Sequence, residues 1–325
     1  PKEGVSIETQ KQFSLSPVAK RLAEMTSLKV RLESDYLNGC DFGDEDILVL
    51  ENVRVNPGET DNDESLARKL AALCDVFVMD AFATAHRAHA STEGVAKYSP
   101  VACAGPLLLK ELRALNKVFS SPKRPVLAIV GGSKVSTKLH ILTSLSQKVD
   151  LMIVGGGIGN TFLAAAGKKV GSSLHESKMI DIAKEIIASG RIVLPTDVVV
   201  SSKIDKAAAW EVKKVEAVSP DDHIVDIGPL SISRNRELVL NAKTIVWNGP
   251  LGVFEIPQFS AGTRELGKSI KESEAFSVAG GGDTISAIEM SDAVDGISYI
   301  STGGGAFLEV LEGKTLPGVS ALLEK

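Results

Sequence analysis

VLAIVGGSKVSTK, residues 126–138, opens on five apolar residues and turns through Gly131 and Gly132 towards Lys134 and Lys138. An unbroken apolar run of this length suits a strand buried on both faces, as inside a parallel sheet. The glycine pair lets a backbone approach an anion closely. A helix starting behind it would add its N–H groups and the positive end of its dipole. The same unit recurs further along the chain. LMIV (151–154) leads into Gly155-Gly156-Gly157-Ile158-Gly159, and IVW (245–247) leads into Asn248-Gly249-Pro250-Leu251-Gly252. FSVA (276–279) leads into Gly280-Gly281-Gly282-Asp283-Thr284, and ISYI (297–300) into Ser301-Thr302-Gly303-Gly304-Gly305. In a parallel sheet these turns gather at the carboxyl edge of the strands. A single glycine-rich turn is equally explained by the need for positive φ. Five on one edge, two of them carrying Lys or Asp, point to a polyphosphate site.

The alternation extends through the rest of the chain. ILVL (47–50), VFVM (76–79) and RIVL (191–194) read as further short strands. Glu64–Leu73 reads as a helix with Leu66, Leu70 and Leu73 on one face. Ser177–Ser189 reads as another, with Ile180, Ala183, Ile186 and Ile187 inward. Strand and helix in alternation predict right-handed βαβ units. Leu107–Phe119 is a helix with Leu108, Leu112, Leu115 and Phe119 on one stripe, and it ends in the breaker cluster SSPKRP (120–125). The inter-domain connection is placed there.

Composition excludes several classes. Hydrophobic residues at 44% and charged residues at 24% describe an ordinary globular chain, and 325 residues allow two domains. A net charge of −5 leaves no global basic field for nucleic acid, so any anion must be caught locally. Cys40, Cys74 and Cys103 lack CxxC spacing and suggest neither a disulfide framework nor a zinc site. No apolar stretch is long enough for a membrane span and no signal peptide is visible, so the expected compartment is the cytoplasm.

Generic nucleotide motifs do not fit. GxxxxGK[ST] is absent, and the dinucleotide fingerprint fails because Asn160 stands at the third glycine position after Gly155-Gly156-Gly157. A nicotinamide dehydrogenase is therefore a secondary reading, and a non-catalytic nucleotide-binding piece is another. Lys134 and Lys138 are four apart and would share a face at the first turn of a helix. Two cations there oppose the dipole unless an anion is bound; otherwise they are solvated surface lysines. Asp283 would either cap its helix or hold Mg²⁺ through phosphate oxygens. In the first half, Arg54 and Arg87 each follow a strand and offer forked groups for a small anion. His86 and His89 have no third metal ligand near them in sequence, and His140, His175 and His223 read as surface or structural residues.

LENVRVNPGE (50–59), DAFATAHRAHAST (80–92), GGSKVSTKL (131–139), VDLMIVGGGIGNTF (149–162), DIGP (226–229), IVWNGPLGVFE (245–255), AGGGDT (279–284) and ISTGGGAFLEVLEGKTLPGV (300–319) together resemble the successive signatures of phosphoglycerate kinases, in the family's order and across nearly the whole chain. The resemblance implies an α/β fold of two Rossmann-like three-layer domains with parallel sheets joined by a hinge helix. Residues 1–119 would form the 3-phosphoglycerate domain and 120–305 the nucleotide domain, with 306–325 returning to the first. It implies reversible Mg²⁺-dependent phosphoryl transfer between 1,3-bisphosphoglycerate with ADP and 3-phosphoglycerate with ATP. The partners would be these small molecules, with no nucleic acid or membrane, and the protein a monomer.

By resemblance, Arg54 and Arg87 hold the substrate's phosphate, Lys138 touches the transferred phosphoryl group, and Lys134 bridges substrate and nucleotide on closure. Gly282 and Gly305 are backbone donors near the migrating group, Asp283 is the Mg²⁺-linked acid, and Thr284 touches phosphate, with Gly281 beside it. Asn248 lies beside the phosphates; Pro250, Val253 and Glu255 form the nucleotide pocket, with Glu255 on the ribose. Gly131, Gly132, Gly155 and Gly156 wall that pocket. Ala83 stands where the family usually has Gly and Val55 where it has an aromatic, while Gly159 and Asn160 depart from a commoner loop; none of these removes a charge. Pro1-Lys2-Glu3-Gly4 resembles the segment just after the family's HLGRP motif. On that expectation several substrate contacts have no counterpart in residues 1–325, so the nucleotide half is complete and 3-phosphoglycerate binding by this chain is weak.

Overall fold

The computed structural model describes Pro1–Glu324; Lys325, the last residue of the segment read as returning, lies outside the described residues. The chain divides into two compact units, Pro1–Lys110 with Thr315–Lys325, and Glu111–Lys314.

The first unit contains α1 (Ser16–Thr26), β1 (Val30–Glu33), β2 (Ile47–Leu50), α2 (Glu64–Ala71), β3 (Val76–Met79), α3 (Val95–Tyr98) and β4 (Val101–Ala104). β1 pairs in parallel with β2, and β3 with β4. Asp63 caps α2 by accepting the Leu66 N–H, and the helix buries Leu66 and Leu70. Among the described residues β3 pairs with β4 alone, and Val76 and Val78 remain half exposed.

α4 (Pro106–Phe119) is shared between the units, which divide within it at Lys110 and Glu111. The break expected at its C-terminal end differs from this because the two ends of the helix have different anchors. Its first turn is tied to Asp80, whose carboxylate accepts the Leu108 N–H at 2.9 Å. From Glu111 onward it belongs to the second unit: Glu111 is fully buried and accepts both the N–H and the hydroxyl of Thr302 at 2.7 Å.

In the second unit run β5 (Val126–Val130), α5 (Leu139–Lys148), β6 (Leu151–Val154), α6 (Gly156–Ala165), α7 (Ile180–Ile187), β7 (Ile192–Val193), β8 (Asp197–Ser201), β9 (Trp210–Lys214) and β10 (His223–Ile227). There follow α8 (Pro229–Asn241), β11 (Thr244–Asn248), α9 (Ala261–Glu272), β12 (Phe276–Ala279), α10 (Gly282–Met290), β13 (Tyr299–Ile300) and α11 (Gly304–Leu311). α12 (Pro317–Leu323) then packs in the first unit, where the Gly318 N–H reaches the Ala85 carbonyl at 2.9 Å.

Six strands form one parallel sheet in the order β13-β12-β11-β5-β6-β7. Its core includes Leu127, Ile129, Ile245 and Trp247, each at most 2% exposed. Burial of each such side chain contributes about 1.5–3 kcal/mol. The register sets Asn248 opposite Val130, so the turns after β5 and β11 leave the sheet side by side, and the Gly131 N–H meets the Asn248 carbonyl at 3.0 Å. A second, antiparallel sheet of order β10-β8-β9 was not foreseen from the sequence. No helix among the described residues is long and apolar enough to cross a membrane.

Candidate functional site

The glycine turns leave the six-stranded sheet at its carboxyl edge, but they are not equivalent. α10 begins behind Gly281, whose φ of +103° is open to glycine and strained for other residues. Its first intrahelical bond is Ile285 N–H to the Gly281 carbonyl, so the N–H groups of Gly282, Asp283 and Thr284 have no acceptor within the helix. α11 begins in the same way, leaving those of Gly304, Gly305 and Ala306. The turn after β6 is different, because the Gly156 N–H donates to the Leu251 carbonyl and the Ile158 N–H to the Gly132 carbonyl. Gly155 and Gly156 therefore hold the loops together and do not offer their helix end to an anion.

Lys134 and Lys138 do not share a helical face, contrary to the expectation from their spacing. α5 starts only at Leu139, and residues 131–138 form an irregular loop. The Lys138 ammonium lies on the floor of this loop, donating to the carbonyls of Gly131 at 2.7 Å and Asn248 at 3.1 Å. Burial pulls its pKa down to about 8, and the negative charge of Asp283 opposes that shift. Lys134 is exposed.

The two central turns are locked by polar side chains. Asn248 is 2% exposed and donates to the Gly280 carbonyl at 2.7 Å, while its Oδ1 is buried with no protein partner. Thr284 Oγ accepts the Gly249 N–H at 2.8 Å and donates to the Gly280 carbonyl at 2.9 Å, so its hydroxyl is already committed. The Trp247 indole N–H reaches the Gly249 carbonyl at 3.0 Å. An open cavity of about 320 Å³ beside these turns is lined by Gly132, Gly156, Pro250, Val253, Glu255 and Asp283, all singled out from the sequence. Leu174, Ile204 and His223 also line it. His223 was read as an ordinary surface or structural residue, and the first two carried no signal beyond being apolar residues in loops.

Asp226, in the DIGP stretch, is a further residue whose position was not legible. It is 2% exposed and accepts the Gly262 N–H at 2.7 Å and its own neighbour Ile227 N–H at 2.9 Å. A Cβ on Gly252, in the cavity wall, would lie 2.5 Å from its Oδ1. Burial pushes its pKa up to about 7 even though both N–H donors favour the anion. With the folded pKa above the ordinary 3.8, this group's contribution to stability is complete below about pH 4 and is lost as pH rises through 7. Asp226→Asn is expected to flatten the dependence of stability on pH over that window, removing a slope of up to about 1.4 kcal/mol per pH unit. Urea unfolding at stepped pH checks this, and an unchanged slope would refute it.

In the first unit, Arg54 and Arg87 line a cavity of about 520 Å³ with Glu59, Asp80 and His89. Burial, then the charges of Arg54 and Arg87, lower the pKa of His89, so both guanidinium groups bear on one imidazole. Glu59 is 1% exposed, accepts the Ser91 N–H and hydroxyl, and is pushed up by burial. The pocket thus has a cationic face suited to a phosphate or carboxylate.

Open helix N-termini, a floor lysine and a separate pocket for a small anion characterise a phosphotransferase, where positioning and charge do the chemistry. The chain belongs to the phosphoglycerate kinase family, whose model matches residues 1–314. It is similar to the phosphoglycerate kinase of Coxiella burnetii, with 47% identity and a TM-score of 0.95 over 100% of this chain and 84% of that one. It is also similar to the Pyrococcus horikoshii OT3 phosphoglycerate kinase, with 30% identity and a TM-score of 0.79 over 95% of this chain and 82% of that one. It is accordingly a glycolytic kinase that binds small-molecule substrates, including ATP and ADP, and transfers a phosphoryl group between ATP and 3-phosphoglycerate.

Proposed function

We propose that the cradle of the second unit is the ATP/ADP site and that the Arg54–Arg87 cavity of the first takes 3-phosphoglycerate or 1,3-bisphosphoglycerate. The observation that carries the first assignment is the Lys138 ammonium lying beside the glycine turns, within electrostatic reach of Asp283. Pro250, Val253 and Glu255 hold the nucleoside, with Glu255 on the ribose, while Gly131 and Gly132 bring the loop close to the phosphates. Asn248 and Thr284 keep the central turns in place, and the N–H groups of Gly282 and Gly305 face the migrating phosphoryl oxygens. Arg54 and Arg87 clamp the phosphate of the other substrate.

The residues fit a magnesium ion, because Asp283 is an exposed carboxylate at a helix start, and this hard cation prefers one or two carboxylates plus phosphate oxygens. Mg²⁺ would be held there with the nucleotide and would neutralise phosphate charge. The nucleophile in the ATP-consuming direction is the carboxylate of 3-phosphoglycerate, already anionic, so no general base is needed. The protein's task is to orient, to exclude water, and to neutralise charge with Lys138, Lys134 and the backbone donors. The protein is a cytoplasmic monomer in this proposal.

The test uses the protein as its gene encodes it, with Mg²⁺, ATP and 3-phosphoglycerate, and traps the acyl phosphate with hydroxylamine. Hydroxamate is expected only when both substrates and the metal are present. ATP hydrolysis without hydroxamate would contradict the proposal.

A further inference from the structure

The irregular loop that carries Lys134 and Lys138 needs something to hold it, since neither residue sits within a helix. Ser136 lies midway between the two lysines. Its N–H donates to Glu176 Oε2 at 2.8 Å and its hydroxyl to Glu176 Oε1 at 2.6 Å, so one residue engages both oxygens of the carboxylate. Two further bonds within this stretch are local, Lys138 N–H to the Val135 carbonyl and the Thr137 hydroxyl to the Lys134 carbonyl, and beyond these the Lys138 ammonium reaches the Gly131 and Asn248 carbonyls.

Glu176 is itself fixed from the opposite side. Its N–H donates to Thr161 Oγ at 3.0 Å, and Thr161, fully buried in α6, donates its hydroxyl to the Gly157 carbonyl at 2.8 Å. Gly157 packs so tightly on the loop that an added Cβ would lie 2.2 Å from the Ser133 carbonyl oxygen. The turn after β6 and the segment behind it therefore hold the lysine loop at three points: by the Ile158 N–H at the Gly132 carbonyl, by close packing of Gly157 on Ser133, and through Thr161 and Glu176 at Ser136. Burial alone would raise the Glu176 pKa, but hydrogen bonds from Ser136 outweigh it with help from the charge of Lys134, so the pKa is lowered and the group stays ionised at neutral pH.

We propose that Glu176 is a positioning residue for phosphoryl transfer: by gripping Ser136 it holds the loop in the shape that presents Lys134 and Lys138 to the phosphoryl group. It touches neither substrate in this role. The inference rests on the roles given to the two lysines above. A merely electrostatic role makes the opposite prediction, because an acid close to Lys134 weakens the cradle's pull on phosphate, and removing it would tighten nucleotide binding.

The experiment compares wild type, Glu176→Ala, Glu176→Gln, Ser136→Ala, Glu176→Ala/Ser136→Ala and Lys138→Ala in steady-state kinetics, with thermal unfolding of each. Glu176→Ala is expected to lower kcat about 10-fold or more, since small misplacement of a catalytic group is costly, while the nucleotide KM stays within about 3-fold. Glu176→Gln keeps the side-chain shape but only one acceptor oxygen and should fall between wild type and Glu176→Ala; it carries the test if the alanine variant is unstable. Adding Ser136→Ala to Glu176→Ala should cost nothing further, because the two residues act as one contact. An unchanged kcat in both Glu176 variants, or a lower nucleotide KM at unchanged kcat, would overturn the inference. If Lys138→Ala lowers kcat in the same assay, the lysine assignment stands and only the role of Glu176 falls; if Lys138→Ala is also without effect, the assignment itself fails.

Discussion

Lys138→Ala is expected to lower kcat by roughly 10²–10³, by analogy with the loss of one preorganised donor, while nucleotide affinity changes by only a few fold. In the free protein two of the three ammonium N–H donors are already engaged by the Gly131 and Asn248 carbonyls, so drawing the group towards a ground-state phosphate weakens those hydrogen bonds. In the transition state, charge builds on the migrating phosphoryl oxygens, and there the exchange becomes favourable. A group that acts at that point appears in kcat rather than in binding. Steady-state kinetics with calorimetric titration of Mg-ADP separates the two. A raised KM at unchanged kcat would make Lys138 a ground-state phosphate clamp.

Gly131→Ala is expected to disrupt the cradle as a whole. The new Cβ would lie 1.7 Å from the Pro250 carbonyl oxygen and 2.9 Å from the Gly249 carbonyl carbon, all of it backbone that no rotamer change can move aside. The turns after β5 and β11 then cannot both keep their places, which should cost about 3 kcal/mol of stability, at the upper end for overpacking. Activity should fall on the order of 100-fold and nucleotide binding should weaken, because the displaced turns carry Lys138's acceptors and the cavity wall. Gly282→Ala is the contrasting variant, since its Cβ would meet nothing within 4 Å. It should unfold like wild type yet lose activity, because the methyl group would stand where phosphate approaches the α10 N–H groups. Urea unfolding and kinetics on the pair check both statements. A destabilised Gly282→Ala, or a Gly131→Ala that folds and binds normally, would contradict them.

What could be read from the sequence depended on the length of each unbroken apolar run rather than on burial: β3 was read although half exposed, and β8, buried throughout but with only three valines between Asp197 and Ser201, was not. β5 and β6 are apolar throughout inside a parallel sheet, and β11 and β12 keep a visible apolar run despite Thr244, Asn248 and Ser277. β10 was missed because a buried acid, Asp226, interrupts its apolar run, and β9 because it leaves Trp210 and Val212 about half exposed among lysines. The site residues that stand in glycine turns were legible because glycine and lysine together are uncommon after a strand. Spacing misled at Lys134 and Lys138: Ser136 spends its N–H and hydroxyl on Glu176, forty residues further on, rather than on a local helical turn. Glu176 and Asp226 act through contacts between segments distant in sequence, and a local pattern cannot contain such contacts.

A crystal structure with Mg-ADP bound tests the nucleotide assignment most directly. The diphosphate should lie at the carboxyl edge of the six-stranded sheet, with Lys138 Nζ and the N–H groups at the start of α10 within hydrogen-bond distance, and the ribose should be beside Glu255. A nucleotide bound instead in the Arg54–Arg87 cavity, or phosphates that leave Lys138 on its two carbonyls and out of reach, would contradict that assignment.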